Sequence, residues 1–195
     1  MARRTQADRS GTTTRQIVTA AAERFGGAGY AAVSIDDVAR AAGLTKGAVY
    51  HHFDGKTALL RAVFAQADED RARRLAEAAA GLGPRAALRA GCHAFLQGCL
   101  DPAARQILLL DGPAVLGWAE VRAIEAEHSV ALLERGVARA MPGHDPGIRT
   151  HLLLGALCEA GMLLARAADG PAALAGITAE LDVLLDALLH TAAGH

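Results

Sequence analysis

Two helix-start signals separated by a glycine constrain this chain more than any other feature. They lie in SIDDVARAAGLTKGAVYHHF, residues 34–53. Ser34 can accept a hydrogen bond from the amide of Asp37, and the Asp37 carboxylate can reach back to the amide of Ser34, which makes a capping box. A short helix follows through Ala42, with Ile35, Val38, Ala39 and Ala42 on its inner face. Gly43 suits the left-handed position that closes such a helix. Thr45 is then a natural N-cap for a second short helix running to about Phe53. Upstream, from about Thr13, Ile17, Ala21 and Phe25 step by four along one helical face, and Gly26-Gly27 and Gly29 end that helix. Two short helices joined by a three-residue turn containing glycine are a helix-turn-helix, whose second helix offers its N-terminal residues to the DNA major groove.

That second helix gathers side chains an ordinary surface would not group. Lys46 stands at its start, where free amides also attract phosphates. Gly47 lets backbone approach a duplex closely. Val49 and Phe53, four apart, point inward and leave Tyr50, His51 and His52 outward or lateral. Lys56 opens the next helix and can hold a flanking phosphate as a point charge. The expected DNA-facing set is Ser34, Thr45, Lys46, Gly47, Tyr50, His51, His52 and Lys56. Within it, Lys46, Tyr50, His52 and Lys56 are assigned to phosphates, and Thr45, Gly47 and His51 lie nearest the base edges.

Charge supports the assignment once it is divided along the chain. Net charge is −1, but residues 1–61 hold nine Lys/Arg against five Asp/Glu, and the other 134 hold eleven against sixteen. A cationic first segment suits a polyanionic partner. Against this stands a helical hairpin with solvated polar residues, for which a local excess of four charges is only a modest fluctuation.

Ile17 to Phe64 resembles the DNA-binding domain of TetR-family transcriptional regulators. The marks are Ala21/Ala22 and Phe25, the pair Gly29-Tyr30, Ser34-Ile35, Val38-Ala39 and Ala42-Gly43. Lys46-Gly47, Tyr50, His52-Phe53, Lys56 and Leu59 continue the pattern. The resemblance implies an all-α fold: a three-helix DNA-binding head, a long fourth helix, and a C-terminal helical domain for ligand binding and dimerisation. The domains expected are a disordered basic tail over 1–11, the helix-turn-helix head over 12–56, and the helical ligand and dimer domain over 57–195.

The rest of the chain reads as helix throughout. Leucine and alanine dominate and only 4% of residues are aromatic. Helices are expected over 56–80, 84–100, 101–110, 119–140, 146–168 and 171–191. Breaks are expected at Gly81-Leu82-Gly83-Pro84, Asp111-Gly112-Pro113, Met141-Pro142-Gly143 and Gly170-Pro171. Arg71, Arg73 and Arg74 are taken as a solvated face. The helix over 146–168 is apolar around almost its whole circumference, so it must be covered on all sides. A central core helix or a symmetric partner would serve. The resemblance implies a homodimer through the last two helices, about 146–168 and 171–191.

No phosphate loop, nucleophile elbow, HExxH or CxxC is present. Cys92, His93 and Cys99 share a helix, but their spacing suits zinc poorly. The chain is therefore expected to be no enzyme and to need no metal or cofactor. No apolar run is expected to reach the length of a membrane span, no secretory signal is seen, and three scattered cysteines fit a reducing cytoplasm. An effector site, implied by the resemblance alone, draws its candidates from Cys92, Phe95, Leu110, Trp118, Ile124, His128, Glu159 and Met162, each of which serves equally as ordinary core. The expectation is a homodimeric repressor that an unknown small molecule, apolar or amphipathic, releases from a palindrome in double-stranded DNA. The rival is an effector-independent DNA-binding dimer with a structural or protein-partnered role.

Overall fold

The structure, a computed structural model, describes residues 6–190, and every regular element among them is a helix. Helix α1 (Gln6–Ala28) begins well before Thr13, so residues 6–11, expected in a disordered tail, are helical; the tail's residues 1–5 lie outside the described residues. It runs through Gly26 and Gly27 before ending against Gly29. Ile17, Ala21 and Phe25 are fully buried, as their spacing requires.

Helices α2 (Ile35–Ala41) and α3 (Lys46–His52) form as their caps dictate. Asp37 donates its amide to Ser34 Oγ at 3.1 Å, and Asp37 Oδ2 accepts from the Ser34 amide at 3.0 Å and from Ser34 Oγ at 2.6 Å. The two Ser34 bonds, the hydroxyl's first, hold the Asp37 carboxyl at about 2, below its ordinary 3.8. Because that pKa is depressed, the cap's contribution is present above the ordinary value and fades as pH falls toward 2. Gly43 sits at φ 65°; its amide meets Arg40 O at 3.1 Å and the Leu44 amide meets Ala39 O at 2.8 Å, the Schellman closure. From α1, Gln16 Nε2 donates to Ala42 O at 2.6 Å and fixes the turn.

Helix α4 (Lys56–Ala79) carries Leu59, Leu60, Val63 and Phe64 into the head core. Helix α5 (Pro84–Gly98) follows. The next segment departs from expectation. Helix α6 (Pro102–Arg105) continues into a π-helical turn, Gln106–Asp111, and then α7 (Gly112–Leu116). Asp111-Gly112-Pro113 does not break the run, because Pro113 lies in the first turn of α7, where its missing amide costs nothing. The break comes at Gly117, φ 81°. The chain divides into two compact units: the first runs to Ala67 and takes in Pro102–Trp118, and the second is Asp68–Asp101 with the chain from Ala119 onward. Asp111 ties its segment to the head by accepting the Tyr30 amide at 2.7 Å.

The second unit comprises the end of α4, α5, α8 (Trp118–Glu127) from Ala119 onward, α9 (Ser129–Ala140), α10 (Pro146–Arg166) and α11 (Gly170–His190). The single helix expected over 119–140 splits at His128, whose φ of −130° and ψ of −89° are not helical. A buried carboxylate explains the split. Asp68 Oδ2 accepts the Ser129 amide at 3.3 Å and caps α9 from α4. Arg71 is part of the same cluster, which corrects its assignment to a solvated face. It is only 7% exposed and binds Asp68, Glu125 Oε1 at 2.8 Å and Ser129 Oγ at 3.1 Å. Arg122 also donates to Glu125. Arg73, by contrast, stays exposed and pairs with Asp70 at 2.9 Å.

Helix α10 is long and apolar enough, by length and composition, to cross a membrane, contrary to the expectation of no such run; no other described helix is. The same profile belongs to core helices of soluble proteins. Only part of α10 is covered within the chain. Leu153, Leu154, Leu157 and Leu164 are buried, while Leu152 and Leu163 are 70% and 50% exposed. On α11, Leu181, Leu185 and Leu189 are buried and Val183 and Leu184 are exposed.

Candidate DNA interface and ligand cavity

Ser34, Thr45, Lys46, Gly47, Tyr50 and His51 are all exposed on the head. Val49, fully buried, anchors α3 from the opposite face. Thr45 Oγ1 accepts the Ala48 amide at 3.2 Å, so its hydroxyl is committed as the N-cap while the residue stays on the surface. Phe53 is not in the helix; it is the extended C-cap and is half-buried. His52 turns toward α1, its Nδ1 lying 3.1 Å from Thr14 Oγ1. It is therefore lateral and held, unlike His51, whose ring packs edge-on to it at 5.4 Å.

The two lysines are positioned by residues that sequence reasoning did not assign to the site. Lys56 Nζ lies 4.1 Å from the centroid of the Tyr30 ring and donates to Ala31 O at 3.5 Å. Tyr30 is fixed in turn by Asp111 at its amide and by Thr57 Oγ1, 3.1 Å from its hydroxyl. The cation rests on the ring quadrupole and keeps its ammonium at the surface. Lys46 Nζ donates to Asp36 Oδ2 at 2.9 Å, with both side chains about half exposed. That hydrogen bond, and then the Asp36 charge, raise the Lys46 pKa. Asp36 thus partly neutralises a cation on the face assigned to DNA. Asp36→Asn is expected to tighten binding to a random-sequence duplex by about two- to tenfold at low salt, with the gain shrinking as salt screens it. Fluorescence anisotropy at two salt concentrations checks this, and unchanged or weaker binding would mean that Lys46 reaches no phosphate.

The second unit holds a cavity of about 630 Å³, partly open to solvent, within the range of small-molecule sites. Leu75 and Ala79 of α4, Leu88 and Phe95 of α5, Leu132 of α9, and Leu157 of α10 are among its walls. Of the candidate ligand residues, Cys92 and Phe95 line this cavity and the other six do not. Leu110 sits in the π-helical turn and Trp118 opens α8 with 59% of its surface exposed; both belong to the first unit. Ile124 is buried in the core, His128 is the irregular residue between α8 and α9, Glu159 is exposed, and Met162 is half-buried. The α9 lining was missed, although Ser129, Leu132, Leu133 and Gly136 recur at helical spacing.

Cys92, His93 and Cys99 do not converge. Burial pushes the Cys92 thiol up to about 12. Cys99 Sγ donates to Phe95 O at 3.3 Å, and His93 Nε2 lies 2.7 Å from Asp182 Oδ1. Among the described residues no group of three or more His, Cys, Asp or Glu is placed to hold a metal ion.

A capped, outward-facing recognition helix on a three-helix head defines a DNA-binding transcriptional regulator, and the comparisons specify which kind. Residues 10–63 match the model for bacterial regulatory proteins of the tetR family, and residues 85–188 match the tetracyclin repressor-like C-terminal domain. A TetR-family transcriptional regulator from Pectobacterium atrosepticum is 34% identical over 95% of this chain and 98% of its own, with a TM-score of 0.78. The chain belongs to the TetR family of transcriptional regulators, which are DNA-binding transcription factors and not enzymes. Two regulators from Pseudomonas putida, SrpR and TtgW, are each 48% identical over 65 residues, a third of this chain. The match spans 30% of SrpR and 48% of TtgW.

Proposed function

We propose that the chain works in the cytoplasm as a homodimeric repressor that a small-molecule effector releases from a palindromic operator. The cavity is the observation that carries the effector part. A solid C-terminal core would favour the effector-independent rival, whereas this unit holds an apolar chamber of ligand size. Helix α4 belongs to both halves of the reading: Lys56 starts it, and Leu75, Ala76 and Ala79 at its far end line the cavity. A ligand shifts the DNA-competent population only by its differential affinity for the two states.

Dimerisation is supported by the half-covered faces of α10 and α11. Exposed Leu152, Leu163, Val183 and Leu184 sit on helices whose other faces are core, and a symmetric copy would cover them. Two heads would then meet half-sites roughly 34 Å apart or a multiple of it.

Footprinting on DNA upstream of the chain's own gene, at two salt concentrations, tests the reading. A short protected palindrome that weakens with salt is expected. Binding without a preferred site would favour the structural role. On the protected site, Lys56→Ala is expected to weaken binding alike on all sequences and to lower the salt slope by about one. An unchanged slope would remove Lys56 from the phosphate contacts.

A further inference from the structure

We propose that the cavity of the second unit takes an aliphatic carboxylate, its chain inside and its charge against Arg135 and Arg139. The inference rests on the cavity being the effector site and names the chemical class of that effector.

Helix α9 is polarised along its cavity-facing side. Ser129, Leu132 and Leu133 line the wall first, and Arg135 and Arg139, four residues apart on neighbouring positions of one face, follow. The apolar wall continues in buried Phe95, Leu154 and Leu157. Both arginines are exposed and so stand at the mouth, where a head group keeps contact with water. No aspartate or glutamate lines the cavity. Glu134, the sequence neighbour of Arg135, and Glu77, next to lining Ala76, both lie outside the lining and are exposed.

Arg135 and Arg139 are the charged residues of the lining; Arg74 and Arg85, next to lining Leu75 and Pro84, lie outside it and are exposed cations that add to the same sign. Arg71, Arg73, Arg89 and Arg122 of the same unit each pair with a carboxylate. Arg135 and Arg139 have no carboxylate within ion-pair distance among the described residues. The buried cluster behind the wall holds two carboxylates, Asp68 and Glu125, and two guanidiniums, Arg71 and Arg122. Its Ser129 Oγ, on the wall itself, already accepts from Arg71. The Cys92 thiol, with its pKa raised by burial, adds no negative charge. An ammonium ligand would meet two cations and no acid. A neutral alcohol would gain the apolar burial alone, and a carboxylate gains both.

Gly91 supplies a control. It lines the cavity, and a Cβ built there meets no atom within 4 Å. A Cβ at Gly91 is therefore free of clash, and in a helix Gly91→Leu also removes a glycine penalty.

The test is calorimetric titration of the full chain, without DNA, with dodecanoate, dodecanol and dodecylammonium below their micelle concentrations. Dodecanoate is expected to bind about tenfold tighter than either of the others, the effect of two solvent-screened charge contacts. Arg135→Gln with Arg139→Gln should abolish that preference while leaving dodecanol binding and the thermal melt unchanged. Gly91→Leu should weaken all three ligands. Equal affinity for the three, a preference for the ammonium, no binding at all, or a carboxylate preference that survives the double arginine variant would each overturn the assignment. DNA release is scored separately. Dodecanoate that binds through the arginines without releasing operator would uphold the ligand class and sink the effector reading.

Discussion

Arg71→Met is expected to lower the unfolding free energy by about 3–5 kcal/mol. Among the described residues the guanidinium is the only cation that bridges Asp68 and Glu125, which are 0% and 3% exposed. Removing it leaves Asp68 with the Ser129 amide alone. Glu125 keeps Arg122, whose side chain is a third exposed and so a weaker counter-charge. Methionine replaces most of the volume, so the loss comes from uncompensated charge rather than from a cavity. The guanidinium also lies 5.3 Å from the Phe95 ring, a cavity wall, so ligand affinity should fall with stability. Urea unfolding followed by circular dichroism measures the effect. A loss below about 1 kcal/mol would mean that water reaches the carboxylates and that the cluster is not buried as described. Changing Asp68 and Glu125 to leucine in the same chain should recover much of the stability, because an apolar replacement of a whole buried ion cluster is often neutral. Recovery should be incomplete, since the Ser129 amide loses its acceptor, at about 1 kcal/mol.

The same cluster marks where sequence reasoning stopped. Short-range signals were legible: the capping box at Ser34 and Asp37, the left-handed Gly43 and the Thr45 cap all form, because each depends on atoms within a few residues. So did the inner faces of α1, α2 and α4, whose spacing fixes burial. Arg71 could not be read. Three arginines in four positions resemble a solvated face, and only the arrival of Glu125 and Ser129 from more than fifty residues away makes one of them core. The split at His128 has the same origin, a cap supplied from another helix. The cavity wall was half legible. Cys92 and Phe95 lie on a strongly amphipathic helix, but the α9 residues gain meaning only when α4, α5 and α10 close around them. On the head, Lys46 and Lys56 stood out as cations; their partners Asp36 and Tyr30 did not.

The segment after Asp101 was the least legible, and it gives the second large expected effect. Gly112→Ala should destabilise the head by about 3 kcal/mol, the upper range for an added core methyl that nothing can accommodate. A Cβ at Gly112 would lie 2.5 Å from Phe64 Cδ2 and 2.8 Å from the Ile107 carbonyl oxygen. The Phe64 ring is fully buried, and the carbonyl is backbone inside the π-helical turn, so neither side can yield cheaply. Phe64→Leu alone should cost about 1–2 kcal/mol. Combined with Gly112→Ala it should cost less than the sum, because the smaller side chain vacates the clash with the ring. Strict additivity in urea unfolding would mean that the carbonyl, not the ring, sets the limit. The change also reaches DNA binding by a traceable route. Gly112 follows Asp111, which holds the Tyr30 amide, and the Tyr30 ring carries Lys56. A displaced α7 should therefore weaken DNA binding in the Gly112→Ala protein that remains folded, and Phe64→Leu should restore part of it. If affinity per folded molecule stays unchanged, the Asp111 contact stabilises the head without positioning its lysine.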